Sequence, residues 1–441
     1  MKQIFKPISI RLVHICISIL TLITPLLTGC SCSDKGSKFV YVENGQFIRN
    51  GHPYYFIGAN FWYGTILASE GEGGDRERLH RELDELKSLG IDNLRILVGS
   101  DGNHRVADRA EPTLQKAPGV YNDTLLRALD YLMVELSKRD MQAVLYLNNS
   151  WEWSGGYSQY LEWSGFGTAP LPNRDGWVPF RDYVAQFVRS DRAKEIFAQY
   201  VRDIVSRTNT ITGRPYKEDP AIFSWQIGNE PRAFSDDNKE LFAQWIHDVA
   251  KLIKSIDNNH MVSTGSEGKY GCQVDIQLCE RIHAYPEVDY INIHIWPNNS
   301  RWVSKETMAQ DMPNAIEMTR QYIDEHLDFA RRLNKPIALE EFGFPRDNYL
   351  FAKETPTTLK DIYYDYVLGQ VAEHSQNSGL LAGCNFWAWG GVAKPDTTNF
   401  WWKPGDDLCG DPPQEPQGLY SVFSSDKSTI EIIRKHIKAL P

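Results

Sequence analysis

Beyond its first thirty residues, this 441-residue sequence has no apolar run approaching the roughly eighteen residues that a helix needs to cross a bilayer. Cysteine is scarce, seven in all, and no C-x-x-C or C-x-x-H spacing offers a zinc site. Asp, Glu and Asn nowhere fall at the intervals of a calcium-binding loop, so neither a metal nor any other cofactor is implied. Lys and Arg are outnumbered 47 to 57 by Asp and Glu, a net charge of −10, and form no cluster interleaved with aromatics. Nucleic acid is therefore a poor partner. Long-range repulsion also disfavours a polyanionic substrate, although a local basic pocket could override it. Internal repeats, low-complexity tracts and a second domain are missing as well.

Aromatic residues are plentiful: 13 Trp, 21 Tyr and 19 Phe make up 12% of the chain. Most are needed to fill a core. The surplus suits a carbohydrate cleft, where flat side chains stack on the apolar faces of sugar rings. At the N-terminus, Lys2, Lys6 and Arg11 lead into an apolar stretch from Leu12 to Leu27, and Leu27-Thr28-Gly29-Cys30 resembles a bacterial lipoprotein cleavage site. Residues 1–29 are expected to be a signal peptide, Cys30 the lipidated residue, 30–37 a polar tether and 38–441 the folded domain. This predicts an exported monomer held at the outer membrane by its lipid alone. In that setting Cys272 and Cys279 could pair locally, whereas Cys384, inside an apolar strand, reads as a buried thiol.

Eight β-rich runs recur: Tyr54 to Gly58, Asn93 to Val98, Ala143 to Leu147, Ile222 to Ile227, Met261 to Thr264, Tyr290 to Ile295, Pro336 to Glu341 and Leu381 to Trp387. Between and after them lie helical periodicities at 76–89, 125–139, 192–207, 238–256, 315–333, 359–375 and 427–440. The alternation predicts an α/β fold, a single (β/α)8 TIM barrel, with a short strand pair from Val40 to Arg49 closing its bottom. In such a barrel the chemistry sits at the C-terminal ends of the strands. Arg95, Asn148, Glu230, His294, Glu341 and Trp387 all fall there.

The fourth and seventh strands each end in a carboxylate, at Asn229-Glu230-Pro231 and at Glu340-Glu341-Phe342-Gly343. A glycosidic bond breaks through an oxocarbenium-like transition state, so one carboxyl must protonate the leaving oxygen while another attacks or stabilises the anomeric carbon. Two acids of one type can share those tasks if their surroundings separate their pKa values.

The landmarks Gly58-Ala59-Asn60-Phe61-Trp62-Tyr63, Asn93-Leu94-Arg95, Asn229-Glu230-Pro231-Arg232 and Glu341-Phe342-Gly343 make the chain similar to retaining β-glycanases of glycoside hydrolase family 5. Asn148-Asn149-Ser150-Trp151, Gly155-Gly156, Tyr160-Leu161-Glu162-Trp163 and His294-Ile295-Trp296-Pro297, with Trp302 beyond, resemble its endo-β-1,4-mannanase subfamily (subfamily 7-like). The resemblance implies Glu230 as general acid/base and Glu341 as nucleophile. It implies Arg95 holding the nucleophile ionised, Asn229 on the sugar's 2-hydroxyl and His294 near the cleavage point. Trp387 would be the stacking floor, with Asn148, Arg232, Trp62, Trp151 and Trp302 as further contacts.

Trp296 stands where the family commonly has Tyr; an indole offers only an N–H, which leaves the usual hydroxyl contact to the nucleophile open. Strand alternation would turn Glu340 away, toward the helices or a basic partner. The implied activity is endo-β-1,4-mannanase action on mannan, glucomannan or galactomannan. The same pair would also serve an exo-acting β-mannanase, with the segment from Trp151 to Phe180 as an end wall, or a β-1,4-glucanase. A lipid-anchored glycan-binding protein is the reading outside enzymes.

Overall fold

The computed structural model describes residue 1 and residues 38–103, 106 and 108–441. The expected signal peptide, Cys30, the tether and Cys32 lie outside the described residues. A single layered domain follows from residue 38. Its eight central strands are β1 (Phe56–Asn60), β2 (Asn93–Leu97), β3 (Gln142–Tyr146), β4 (Ile222–Gln226), β5 (Met261–Ser263), β6 (Ile291–Ile295), β7 (Ile337–Phe342) and β8 (Leu381–Phe386). They form one sheet in the order β5-β4-β3-β2-β1-β8-β7-β6, with every neighbouring pair parallel. The β5–β6 seam has no ladder and is joined by single bonds such as Asp289 N–H to Val262 O at 2.9 Å and Gly265 N–H to Asn292 Oδ1 at 2.9 Å. The expected (β/α)8 barrel is present, nearly closed.

Eight helices wrap it: α1 (Arg76–Leu89), α2 (Asp123–Lys138), α3 (Asp191–Val205), α4 (Lys239–Ile256), α5 (Ile276–His283), α6 (Met308–Leu333), α7 (Thr358–Gln376) and α8 (Lys427–Ile437). Each presents an apolar stripe to strands that are buried on both faces, so the strands carry unbroken apolar runs rather than alternation. Seven of these helices match the sequence periodicity. The eighth, α5, spans only Ile276–His283 and is set by Asp275, whose carboxylate accepts from the N–H groups of Gln277 and Leu278. Such a short helix leaves little periodic signal.

At the bottom, the strands Tyr41–Glu43, Gln46–Arg49 and His52–Pro53 make a small antiparallel sheet. It seats Phe47 against Phe56, Phe223 and Tyr290, with ring centroids 5.1–6.1 Å apart, and stoppers the barrel as expected. At the mouth, Trp151 to Phe180 is largely helical, with turns at Gly156–Trp163, Pro172–Asp175 and Trp177–Val184. The loop after β8 reaches across the mouth to the residues after β1 and to the β3 loop. Gly410 O accepts from Trp62 Nε1 at 2.9 Å, and Gln414 O accepts from Asn173 Nδ2 of the β3 loop at 3.3 Å. Among the described residues no helix is long and apolar enough to cross a membrane. Cys272, Cys279, Cys384 and Cys409 are all buried free thiols, so the local pairing open to the first two is not made in this structure, and Cys384 is the buried thiol its strand suggested.

Candidate active site

Glu230 follows β4 with its backbone in the left-handed region, φ 50°, which a residue with a Cβ rarely adopts. Its N–H is tied to Gly265 O at 3.0 Å, and neighbouring Asn229 donates its N–H to Asn148 O at 2.7 Å. The β3 loop is folded onto this turn: Tyr157 N–H reaches Asn149 O at 3.0 Å, and a Cβ on Gly156, φ +51°, would stand 2.0 Å from that same oxygen. That close approach explains the Gly155-Gly156 pair.

Glu341 reaches the same space by a different device. Along the β6–β7 ladder Ile293 pairs with Leu339 but His294 pairs with Glu341, so Glu340 is an extra residue, a β-bulge. The bulge breaks the alternation that would have sent the two acids to opposite sides. Both turn inward. Glu340 accepts from Tyr290 OH (2.8 Å), Gln226 Nε2 (2.5 Å) and Asn292 Nδ2 (2.7 Å) inside the barrel, not toward the helices as alternation predicts, while its basic partner is Arg95 at 3.9 Å. Glu341 emerges at the mouth, 3% exposed.

Arg95 on β2 connects the whole arrangement. It is fully buried and donates to Glu341 Oε1 (2.5 Å), Asn229 Oδ1 (2.8 Å), Gln226 Oε1 (2.7 Å) and Asn60 Oδ1 (3.0 Å). Trp296 Nε1 donates to Glu341 Oε2 at 3.2 Å, so the indole keeps the contact to this acid. Glu230 accepts from Trp151 Nε1 at 2.6 Å. His294 stands between the acids, its Nδ1 3.0 Å from Glu230 Oε1 and 3.4 Å from Glu341 Oε2. Burial, then the nearby Arg95 charge, pushes His294 far below its usual range, so the ring is neutral and can donate to whichever carboxylate is ionised.

Burial raises both carboxyls, and their mutual repulsion keeps them from ionising together. Arg95 lies directly on Glu341. The cation nearest Glu230 is Arg232, which is already gripped in a bidentate pair by Glu267 at 2.5 Å. The shared proton therefore belongs on Glu230 and the charge on Glu341. One oxygen of each acid and one nitrogen of His294 lie within 4.8 Å of one another. The spacing would suit a cation, and the same carboxylates accept from Arg95, Trp296 and Trp151 N–H groups.

Around the acids lies a pocket of about 720 Å³, lined among others by Trp387, Trp153, Arg232, Tyr270 and Asn299, with Trp151 beside Glu230. Asn229, Arg232, His294, Trp296, Trp387 and Trp151 are brought together as expected. Three expected contacts are not in the pocket. Trp62 is 1% exposed and serves the loop after β8 through Gly410, Trp302 packs on Tyr322 of α6, and Asn148 spends its Oδ1 on Asn149 N–H at 2.6 Å. Their positions near strand ends were visible in sequence; their side-chain directions were not.

What sequence reasoning missed is the inner wall. Gln414 and Glu415 line it, and Gln414 Oε1 and Glu415 Oε2 are sealed from solvent without a hydrogen-bond partner among the described residues. Burial, then Asp411, Glu230 and Glu152, pushes Glu415 up to about 8; burial pushes Glu152 up to about 7. The only sequence signal was a Pro/Gly/Asp-rich loop. Because these acids hold protons more tightly folded than unfolded, their contribution to stability is complete below about pH 4.5 and is lost as pH rises through about 7 to 8. The melting temperature should fall between pH 6 and pH 9, and Glu415→Gln should flatten that fall. Parallel curves for the two proteins in scanning calorimetry would refute it.

An eight-stranded barrel with two buried, electrostatically distinct carboxylates at the strand ends defines a glycoside hydrolase. A model of the GH family 5 beta-mannosidase-like proteins matches residues 37–441, and the chain belongs to that family. It is 34% identical to a glycoside hydrolase family 5 mannosidase from Rhizomucor miehei, which it matches over 92% of this chain and 98% of that one with a TM-score of 0.83. It is 31% identical over 364 residues to a putative mannan endo-1,4-beta-mannosidase 9 of Oryza sativa subsp. japonica, covering 78% of this chain and 82% of the relative. An endo-1,4-beta-mannanase from Rhizomucor miehei shares the fold, with 23% identity, 91% and 99% coverage and a TM-score of 0.66.

Proposed function

We propose that this hydrolase is a retaining, exo-acting β-mannosidase that removes mannosyl units from the non-reducing ends of β-mannosides. The observation that carries the reading is the loop after β8, which is joined to the β3 loop through Asn173 and Gln414 and lines the pocket with Pro412, Gln414 and Glu415, so that we read it as a wall closing one end. A polymer threaded through the site would have to pass this wall, whereas a chain end fits against it. Gln414 and Glu415 line that wall and place polar side chains where a terminal sugar carries its hydroxyls. The resemblance to the Rhizomucor miehei mannosidase, also solved as a variant with mannosyl-fructose, supports mannose as the terminal sugar. Endo action, implied by the mannanase-like motifs and by the plant relatives, is the second reading.

In this mechanism Glu341 attacks the anomeric carbon as Glu230 protonates the leaving oxygen; Glu230 then takes a proton from the water that releases mannose. An oxygen separation within 4.8 Å matches the short carboxyl spacing of retaining enzymes, about 5 to 5.5 Å between groups, rather than the wider inverting one. We also propose that Cys30 carries a lipid that holds the enzyme at the outer membrane, on the strength of Leu27-Thr28-Gly29-Cys30.

The test is incubation of protein lacking residues 1–37 with linear mannan, glucomannan, galactomannan, cellulose and mannooligosaccharides, following product lengths over time. Mannose as the sole early product supports exo action. An early spread of oligosaccharides would replace it with endo action, and cleavage of cellulose would move the substrate to glucan.

A further inference from the structure

On the open side of the pocket, the helical turn Trp177–Val184 turns two side chains, Trp177 and Arg181, toward the entrance. Trp177 is 46% exposed although it lines the pocket, and its ring meets Trp151 edge-on with centroids 5.8 Å apart. Since Trp151 holds the acid that protonates the leaving oxygen, Trp177 stands one step farther along, where the leaving group must lie. Arg181 lies over the Trp177 ring, 5.8 Å from its centroid. Among the described residues its side chain has no carboxylate within ion-pair distance and makes no hydrogen bond.

Arg181 is exposed at the pocket, close to a second guanidinium, Arg232, and to Glu267. The acids lining the same side are taken: Glu267 by Arg232 at both oxygens, and Asp236 by Lys239 at 2.9 Å. Glu267 is the one acid whose charge reaches Arg181, and it is shared with Arg232, so among the described residues none forms an ion pair with Arg181. A planar, five-donor guanidinium left free beside an aromatic platform is suited to a planar anion.

We propose that the leaving-group side of this site takes a sugar bearing a carboxylate, a uronosyl residue stacked on Trp177 and paired with Arg181. The natural substrate would then be a terminal β-mannosyl unit attached to an acidic sugar. The inference rests on the exo-mannosidase reading above. It also resolves the tension between an acidic protein and an acidic substrate: the long-range field is screened at physiological salt, while a contact pair in the pocket is not.

The experiment compares kcat/KM for 4-O-β-mannosyl-glucuronic acid and its neutral counterpart, 4-O-β-mannosyl-glucose, at low and high salt. Native enzyme should favour the uronide by about tenfold or more, chiefly through KM, and the preference should persist at high salt, where the long-range repulsion is screened. In Arg181→Gln the ratio should collapse toward one, whatever the variant's absolute rate. A native ratio of one or below, or a preference that survives in Arg181→Gln, would overturn the assignment. Failure to release mannose from either disaccharide would instead count against the exo-mannosidase reading itself.

Discussion

Alanine in place of Glu341 will abolish mannoside turnover, a loss on the order of 10⁴-fold or more, because it removes the group that forms the covalent intermediate. The protein should still fold, since Glu340 remains 3.9 Å from Arg95 to balance the guanidinium. The emptied space admits a small anion, which makes the roles of the two acids separable. With Glu341→Ala, azide enters from the face the carboxylate occupied and should give α-mannosyl azide. With Glu230→Ala and an activated aryl β-mannoside, the intermediate still forms, azide attacks it from the opposite face, and the product should be β-mannosyl azide. NMR of the two azides decides the matter. The same anomer from both variants, or near-native turnover by Glu341→Ala, would contradict the assigned roles.

The second large effect is expected at Arg95. Methionine there fills similar volume but leaves Glu341 buried without its cation and strands the acceptors on Gln226, Asn60 and Asn229. Breaking a buried pair in this way costs about 3–5 kcal/mol, so the melting temperature should drop by several degrees. Burial, no longer opposed, will raise Glu341 further. The nucleophile must be ionised to react, so the acidic limb of kcat/KM against pH moves to higher pH and the maximum falls by roughly a hundredfold or more. Lysine should restore part of the limb position but little of the rate, since an ammonium cannot hold Glu341 and Asn229 in one plane. An unmoved acidic limb in Arg95→Met would mean that Arg95 does not govern the nucleophile.

How far the sequence foretold this molecule varies with the physics of each part. Strands buried on both faces leave unbroken apolar runs, so all eight barrel strands were legible to within two residues; the long helices were legible in place, although α6 begins seven residues before its apolar stripe suggested. The two acids were legible because a strand end places a side chain at the mouth whatever the loops do. Direction was harder. Trp62 and Trp302 sit at promising positions yet face inward, since an indole is claimed by whichever surface buries it, and composition carries no record of that competition. Glu340 and the inner wall were illegible for another reason. A bulge is one residue of register between two strands, and the closing contact of Asn173 with Gln414 joins segments 241 positions apart.

The extra residue in β7 bears on how such a site can be moved or redesigned. Glu340 and Glu341 form a tandem in which the first feeds the polar plug of the barrel and the second is the nucleophile of the proposed mechanism, and only an odd insertion lets both share one side. Grafting the Leu339–Phe342 segment onto an unbulged strand would put one of the pair out of phase, so the portable module is the bulged strand together with its β6 neighbour and Arg95, not the carboxylate alone.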